Sequence, residues 1–124
     1  MNTNTRDRPH CGDIWTCYLP EQSGSIQHGY RPVLVISNDM NNAYALTMNV
    51  IPISSSTAKK HLPIHVDIQC YDECGLDKPC RLLIEQTTTV SIDKIHNYVG
   101  HISNPALIDR IAEAFRLQFQ ILRM

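Results

Sequence analysis

Arg31 stands one residue before a proline at the foot of an apolar run: residues 29–39 read Gly-Tyr-Arg-Pro-Val-Leu-Val-Ile-Ser-Asn-Asp. A guanidinium is planar, always charged and forked, so it suits paired hydrogen bonds to a phosphate. A second polar group, Ser54-Ser55-Ser56-Thr57, follows directly on Val50-Ile51-Pro52-Ile53. If the two apolar runs are neighbouring antiparallel strands, the start of one lies beside the end of the other, and the Ser54 hydroxyl comes close to Arg31. A fixed cation beside an alcohol is a clamp for an oxygen that gains negative charge. The plainer role for Arg31 is to cap its strand and pair with a carboxylate.

Positioning these groups requires strands. Pro32 fixes its own φ, lacks an N–H and pushes Arg31 toward extended geometry, which fits a strand's first positions. The β-branched run that follows is apolar enough to be buried on both faces. Residues 14–18 read as a first strand, joined to the Arg31 strand by a loop through Pro20, Gly24 and Gly29. Residues 38–42, Asn-Asp-Met-Asn-Asn, read as a turn before a third strand over 47–53. Residues 64–68 alternate apolar and polar, the pattern of a strand with one wet face. Residues 82–90 read as one longer strand, 91–95 as a single helical turn and 98–102 as a closing strand. The terminal helix is the clearest element. Asn104 caps it, Pro105 takes its first position, and Leu107, Ile108, Ile111, Phe115, Phe119 and Leu122 draw one apolar stripe. Short strands with one terminal helix predict an α+β, mainly β domain: a strongly bent antiparallel sheet or partly closed barrel.

The chain has 124 residues, 43% of them hydrophobic and 19% charged, enough for a single modest core. Residues 1–11 read as a polar tail and 12–124 as one domain. No stretch approaches the roughly 20 apolar residues of a membrane span, and residues 1–10 lack the apolar region of a secretory signal, so a cytoplasmic location is expected. A net charge of −1 excludes a protein that coats nucleic acid nonspecifically. Any RNA contact must be local. Lys59, Lys60, Lys78 and Arg81 read individually as solvated loop charge. Cys11, Cys17, Cys70, Cys74 and Cys80 are odd in number, so reduced thiols are the simpler expectation. Cys70, Cys74, Cys80 and His65 lack the tight Cys-x2-Cys spacing of a zinc knuckle, and neither metal nor cofactor is expected.

Four blocks recur in a familiar order: Gly12-Asp13-Ile14-Trp15; residues 27–39 from Gln27 through Arg31 to Asp39; Leu62-Pro63-Ile64-His65-Val66; and Leu83-Ile84-Glu85-Gln86. Together with the terminal helix they resemble the MazF/PemK family of toxin endoribonucleases. That resemblance implies a homodimeric, SH3-like barrel of bent antiparallel strands with a C-terminal α-helix. It implies cleavage of single-stranded mRNA at short sequences, without metal or ribosome, and silencing by a cognate MazE-like antitoxin that alone would make any DNA contact. The family's catalytic arginine falls on Arg31 and its catalytic Thr or Ser on Ser54. Its acidic-Gln pair beside the RNA groove falls on Glu85 and Gln86. Two departures are visible: a glutamate common in the loop before the arginine is Ile26 here, and the basic residue usual after the acidic-Gln pair gives way to Thr87, Thr88 and Thr89.

RNA read by sequence is usually unpaired, with its bases hydrogen-bonded on their edges, so loop residues Ser25, Gln27, His28, Lys59, Lys60 and Leu62 join Glu85 and Gln86 as expected RNA contacts. His28 is also the residue type suited to moving protons, and His65 points to the polar side of its strand. Two alternatives of another class share this architecture: a toxin of the CcdB type, which poisons DNA gyrase by binding, and an inactive toxin-like module that regulates through its antitoxin.

Overall fold

The computed structural model describes residues 8–24, 26–55 and 61–120. Seven strands are present: β1 (Asp13–Leu19), β2 (Gly29–Val35), β3 (Thr47–Ser54), β4 (His65–Ile68), β5 (Cys80–Leu83), β6 (Thr88–Ser91) and β7 (Ile95–His101). Two helices accompany them, α1 (Asp39–Tyr44) and α2 (Pro105–Gln118). Strand order is β4-β5-β3-β2-β1-β7, all pairs antiparallel, with β6 on β3 as well. The bent antiparallel sheet and terminal helix are as expected, but the path does not close into a ring. The β4 edge is met by α2 instead, where Arg110 Nη1 donates to the Asp67 carbonyl (3.2 Å).

β3 organises the sheet. On one side it pairs with β2 from Val33↔Pro52 to Val35↔Val50. On the other it pairs first with β6, up to Val50↔Thr88, and then with β5, from Ile53↔Leu82. Pro52 sits where β3 changes partners, a position where a missing N–H breaks no ladder bond on that side. The change of partner bends the sheet.

Alternation then divides the buried side chains into two cores. Ile14, Leu34, Ile51, Ile53, Val66, Ile68 and Leu82 pack with Leu107 and Ala114 of α2. Trp15, Cys17, Leu19, Val33, Val35, Met48, Val50 and Val90 fill the opposite face. Arg31 is in step with Val33 and Val35, and Pro52 and Ser54 are in step with Met48 and Val50, so all three belong to the second face.

Asp13 shows why the chain opens β1 as it does. The carboxylate is fully buried and accepts from His10 N (2.8 Å) and Trp15 Nε1 (3.2 Å), with His101 Nδ1 2.8 Å from its other oxygen. A buried charge is tolerated only with such partners.

Three elements differ from the sequence expectation. Residues 38–42 belong to a helix and not an open turn. Asn38 Oδ1 accepts from Asn41 N (2.8 Å), and the buried Asn42 carboxamide exchanges bonds with Ser37 (2.6 and 2.8 Å). Arg8 Nε donates to the Asn42 carbonyl (2.7 Å), placing a cation on the last turn where the helix dipole favours one. Residues 82–90 are not one strand: a 3₁₀ turn at Ile84–Gln86 separates β5 from β6. The closing strand begins three residues earlier than expected, at Ile95. By contrast α2 starts as read, with Asn104 Oδ1 accepting from Leu107 N (3.1 Å) and Pro105 first in the helix.

Gly100 of β7 lies against the turn at Tyr71–Cys74, and a Cβ there would fall inside the Cys74 carbonyl. The neighbouring Gly75 takes φ +85°. Backbone on both sides has nowhere to move, so Gly100→Ala is expected to destabilise by about 3 kcal/mol, at the upper end for overpacking. Chemical denaturation followed by Trp15, the single tryptophan, reads this directly.

Candidate functional site

Gly29 opens β2 at φ +82°, a conformation other residues adopt only under strain. The turn delivers Tyr30 and Arg31 to the sheet beside β1, with Arg31 opposite Cys17. Arg31 is partly exposed, and its Nε donates to the His28 carbonyl (2.9 Å). Among the described residues it forms no ion pair, and its two Nη groups have no partner. The capping role with a carboxylate is therefore not what these residues show. The side chain is held at its elbow with the fork left unengaged, which is the arrangement two phosphate oxygens require.

Ser54 ends β3, is 8% exposed and pairs in register with Arg81 of β5. Continuing the β2/β3 register two residues past Val33↔Pro52 sets Arg31 against Ser54. The ladder itself stops at Val33, because β3 has turned toward β5. The two residues thus share a sheet face and lie at facing ends of adjacent strands, with no hydrogen bond between them.

A second polar group faces the same side. The 3₁₀ turn at Ile84–Gln86 brings Gln86 to the loop before β2 and Glu85 to His65 of β4. Gln86 Oε1 accepts from Gln27 N (2.8 Å), tying loop to turn. Glu85 Oε2 lies 2.9 Å from His65 Nε2, and His65 Nδ1 accepts from Leu62 N (3.2 Å). Because Nδ1 is the acceptor, the neutral ring carries its proton on Nε2 and donates it to Glu85. Gln86 with Gln27, and Glu85 with His65 and Leu62, form two sets of bonds that meet only through the adjacent residues Glu85 and Gln86, and His28 is exposed beside Arg31. Ser25, Lys59 and Lys60 lie outside the described residues.

Two residues read differently from the sequence complete the picture. His65, expected on a wet face, is covered by Glu85, its side chain 9% exposed. Arg81, expected as loop charge, is buried in β5 and holds Asp67 through two bonds, Nε to Oδ1 (2.6 Å) and Nη2 to Oδ2 (3.3 Å). The hydrogen bond from Arg81 lowers the Asp67 pKa below the usual aspartate range, against desolvation, and the same bond raises that of Arg81. The signal available was the alternation of 64–68, which puts His65 and Asp67 on one side of β4.

All five cysteines are free. Burial pushes Cys17 up to about 11, and burial with the neighbouring Cys70 pushes Cys74 up to about 12, so both are thiols and not thiolates near neutral pH. Among the described residues no group of three or more His, Cys, Asp or Glu is placed to hold a metal ion, and no helix is long and apolar enough to cross a membrane.

Fold and site together define a small antiparallel-sheet domain with a helix at its end and a strand-borne cation on the sheet face that carries Ser54. The chain belongs to the family of PemK-like, MazF-like toxins of type II toxin-antitoxin systems, whose model matches residues 10–119. The resemblance carried by the four sequence blocks is borne out. Endoribonuclease EndoA of Bacillus subtilis is 31% identical over 111 residues, covering 90% of this chain and 94% of that one. MazF (Form-I) from Deinococcus radiodurans matches in structure with a TM-score of 0.73 at 18% identity, covering 90% of this chain and 96% of that one. An endoribonuclease from a mycobacterial species, solved in complex with its cognate antitoxin, matches with a TM-score of 0.68 at 18% identity, covering 91% and 94%. At those identities the two structures establish the fold.

Proposed function

We propose that this protein is a sequence-specific endoribonuclease that cuts single-stranded mRNA by transesterification. The 2′-oxygen bonds to the adjacent phosphorus as its proton leaves, the bond to the 5′-oxygen breaks, and that oxygen takes up a proton. The products are a 2′,3′-cyclic phosphate and a 5′-hydroxyl, with no metal and no ribosome needed. Negative charge grows on the non-bridging oxygens during the step, so a preorganised fork is worth most at the transition state. The observation that carries this reading is Arg31, fixed through Nε to the His28 carbonyl, with both Nη groups unengaged among the described residues. Ser54 is the hydroxyl that donates to the same phosphate. Curated relatives named as endoribonucleases support this over gyrase poisoning, as does a cation that a pure binder would not need so placed.

An antitoxin would silence the chain by occupying the groove, and any DNA contact would run through that partner; the mycobacterial relative is solved in complex with its cognate antitoxin. The exposed Ile108, Leu117 and Phe119 along α2, beside an apolar groove of about 960 Å³, support a homodimer. A cytoplasmic location follows from an mRNA substrate.

Incubating the protein with a long unstructured RNA in EDTA tests the reading: discrete fragments ending in 2′,3′-cyclic phosphate are expected, and intact RNA would overturn it. Ser54→Ala is expected to cut about 10² to 10³ times more slowly at unchanged RNA affinity, the usual effect of losing one transition-state donor. Unchanged turnover in that variant would remove Ser54 from the site.

A further inference from the structure

Three rings stand together on the sheet face opposite to Arg31, at the end of the sheet where β2, β1 and β7 lie side by side. Tyr18 and Tyr30 are register partners, with ring centroids 5.3 Å apart at 61°. His96 of β7 closes the group, 5.4 Å from Tyr30 at 60°. Lys94 Nζ lies 5.6 Å from the centre of the Tyr18 ring, a cation–π distance. Tyr30 is thus braced by two rings, yet it is 69% exposed. A large ring held in place and left in water is a contact surface that loses little conformational freedom when something covers it. Its surroundings are basic. Lys94, His96 and His28 are exposed, and Arg31 follows Tyr30 directly. The nearby Asp93 carboxylate is exposed as well and hydrogen-bonded to Ser91.

We propose that this cluster is a second contact for single-stranded RNA, outside the groove, on which the strand stacks beyond Arg31 without regard to sequence. The inference rests on the ribonuclease reading above and extends the path of its substrate. Successive strand residues point to opposite faces, so Tyr30 and Arg31 stand back to back at the start of β2, one peptide apart. A strand held by a phosphate at Arg31 therefore has only to turn round the end of β2 to lay its next base on Tyr30. Every base has a π face, so an aromatic ring accepts all of them, and a cation beside the ring neutralises the backbone. Lys94 is that cation here. Such a track also suits a chain of net charge −1, because it attracts a polyanion along one short path and not over the whole surface. A second copy of this chain would cover the same rings, but the basic surroundings favour a polyanion over a like-charged copy.

Uncleavable oligomers test this without relying on catalysis. Ten-nucleotide 2′-O-methyl oligo(A), oligo(C) and oligo(U) have no free 2′-hydroxyl, and their binding is read by fluorescence anisotropy. Tyr30→Ala is expected to bind all three about tenfold more weakly, the usual effect of losing one stacked base. Tyr30→Phe keeps the ring and is expected to bind as the wild type does. Lys94→Gln is expected to flatten the plot of log affinity against log salt by about 0.7, the value of one phosphate on a single strand. That second variant serves if Tyr30→Ala does not fold. Unchanged affinity in Tyr30→Ala, or a loss confined to one of the three oligomers, overturns the proposal. So does a change in its molar mass by light scattering, which would make the cluster a contact between copies of the chain. A wild type that cuts RNA in EDTA while Tyr30→Ala binds as tightly sinks the outer contact alone; a wild type that cuts nothing while Tyr30→Ala loses affinity sinks the nuclease reading alone.

Discussion

Arg31→Ala is expected to slow RNA cleavage by about 10³-fold or more while leaving the melting temperature close to that of the wild type. Removing a single donor to a developing oxyanion costs about 10² to 10³, and arginines that stabilise phosphoryl transition states contribute about 10³ to 10⁵. The fold should be spared because the side chain makes one internal hydrogen bond, from Nε to the His28 carbonyl, and no ion pair among the described residues. Single-turnover cleavage of an end-labelled unstructured RNA gives the rate, and circular dichroism gives the stability. Arg31→Lys refines the test. It keeps the charge but loses the planar fork, so an intermediate rate is expected if paired contacts to two phosphate oxygens matter. A rate for Arg31→Ala within a few-fold of wild type would show that the guanidinium does not touch the reacting phosphate.

How much of this was legible in the chain depended on how local each determinant was. The terminal helix could be read outright, because its cap, its first proline and its apolar stripe are contiguous. The helix at Asp39–Tyr44 could not: its asparagines favour turns, and what makes them helical is a buried carboxamide network with Ser37 and an arginine from residue 8. The break at Ile84–Gln86 was hidden for a related reason. Nothing in Leu-Ile-Glu-Gln-Thr-Thr-Thr forbids a strand, and the chain turns there because it leaves β5 to rejoin β3 as β6. That turn brings Gln86 to the loop before β2 and Glu85 to His65 of β4, so both contacts are products of strand order. That Arg31 and Ser54 share a sheet face could be read, because strand alternation and antiparallel neighbours are visible in a pattern. The burial of Arg81 could not, since it depends on Asp67 of another strand.

That last pair carries an expected loss of stability as large as that of Gly100→Ala. Asp67→Asn removes the carboxylate that the Arg81 guanidinium, 4% exposed, holds through two bonds. Breaking one side of a buried pair destabilises by about 3 to 5 kcal/mol. Asp67 is itself partly exposed, so about 3 kcal/mol is expected, a drop of roughly 10 °C in melting temperature for a chain of this size. The pH dependence has a definite sign. The folded Asp67 pKa is lowered, chiefly by the Arg81 hydrogen bond, so its contribution is fully present above the unfolded value and is lost as pH falls through the folded one. Below about pH 4, the ordinary aspartate value, wild type should weaken and converge on Asp67→Asn. Denaturation from pH 7 down to pH 2 measures both, and parallel curves would show that the pair adds nothing. The loss should also reach the groove, because Arg81 is the register partner of Ser54 and β5 holds the end of β3. Cleavage by Asp67→Asn should therefore fall before global unfolding begins, whereas Asp67→Leu with Arg81→Met, which removes both charges, should recover part of the stability.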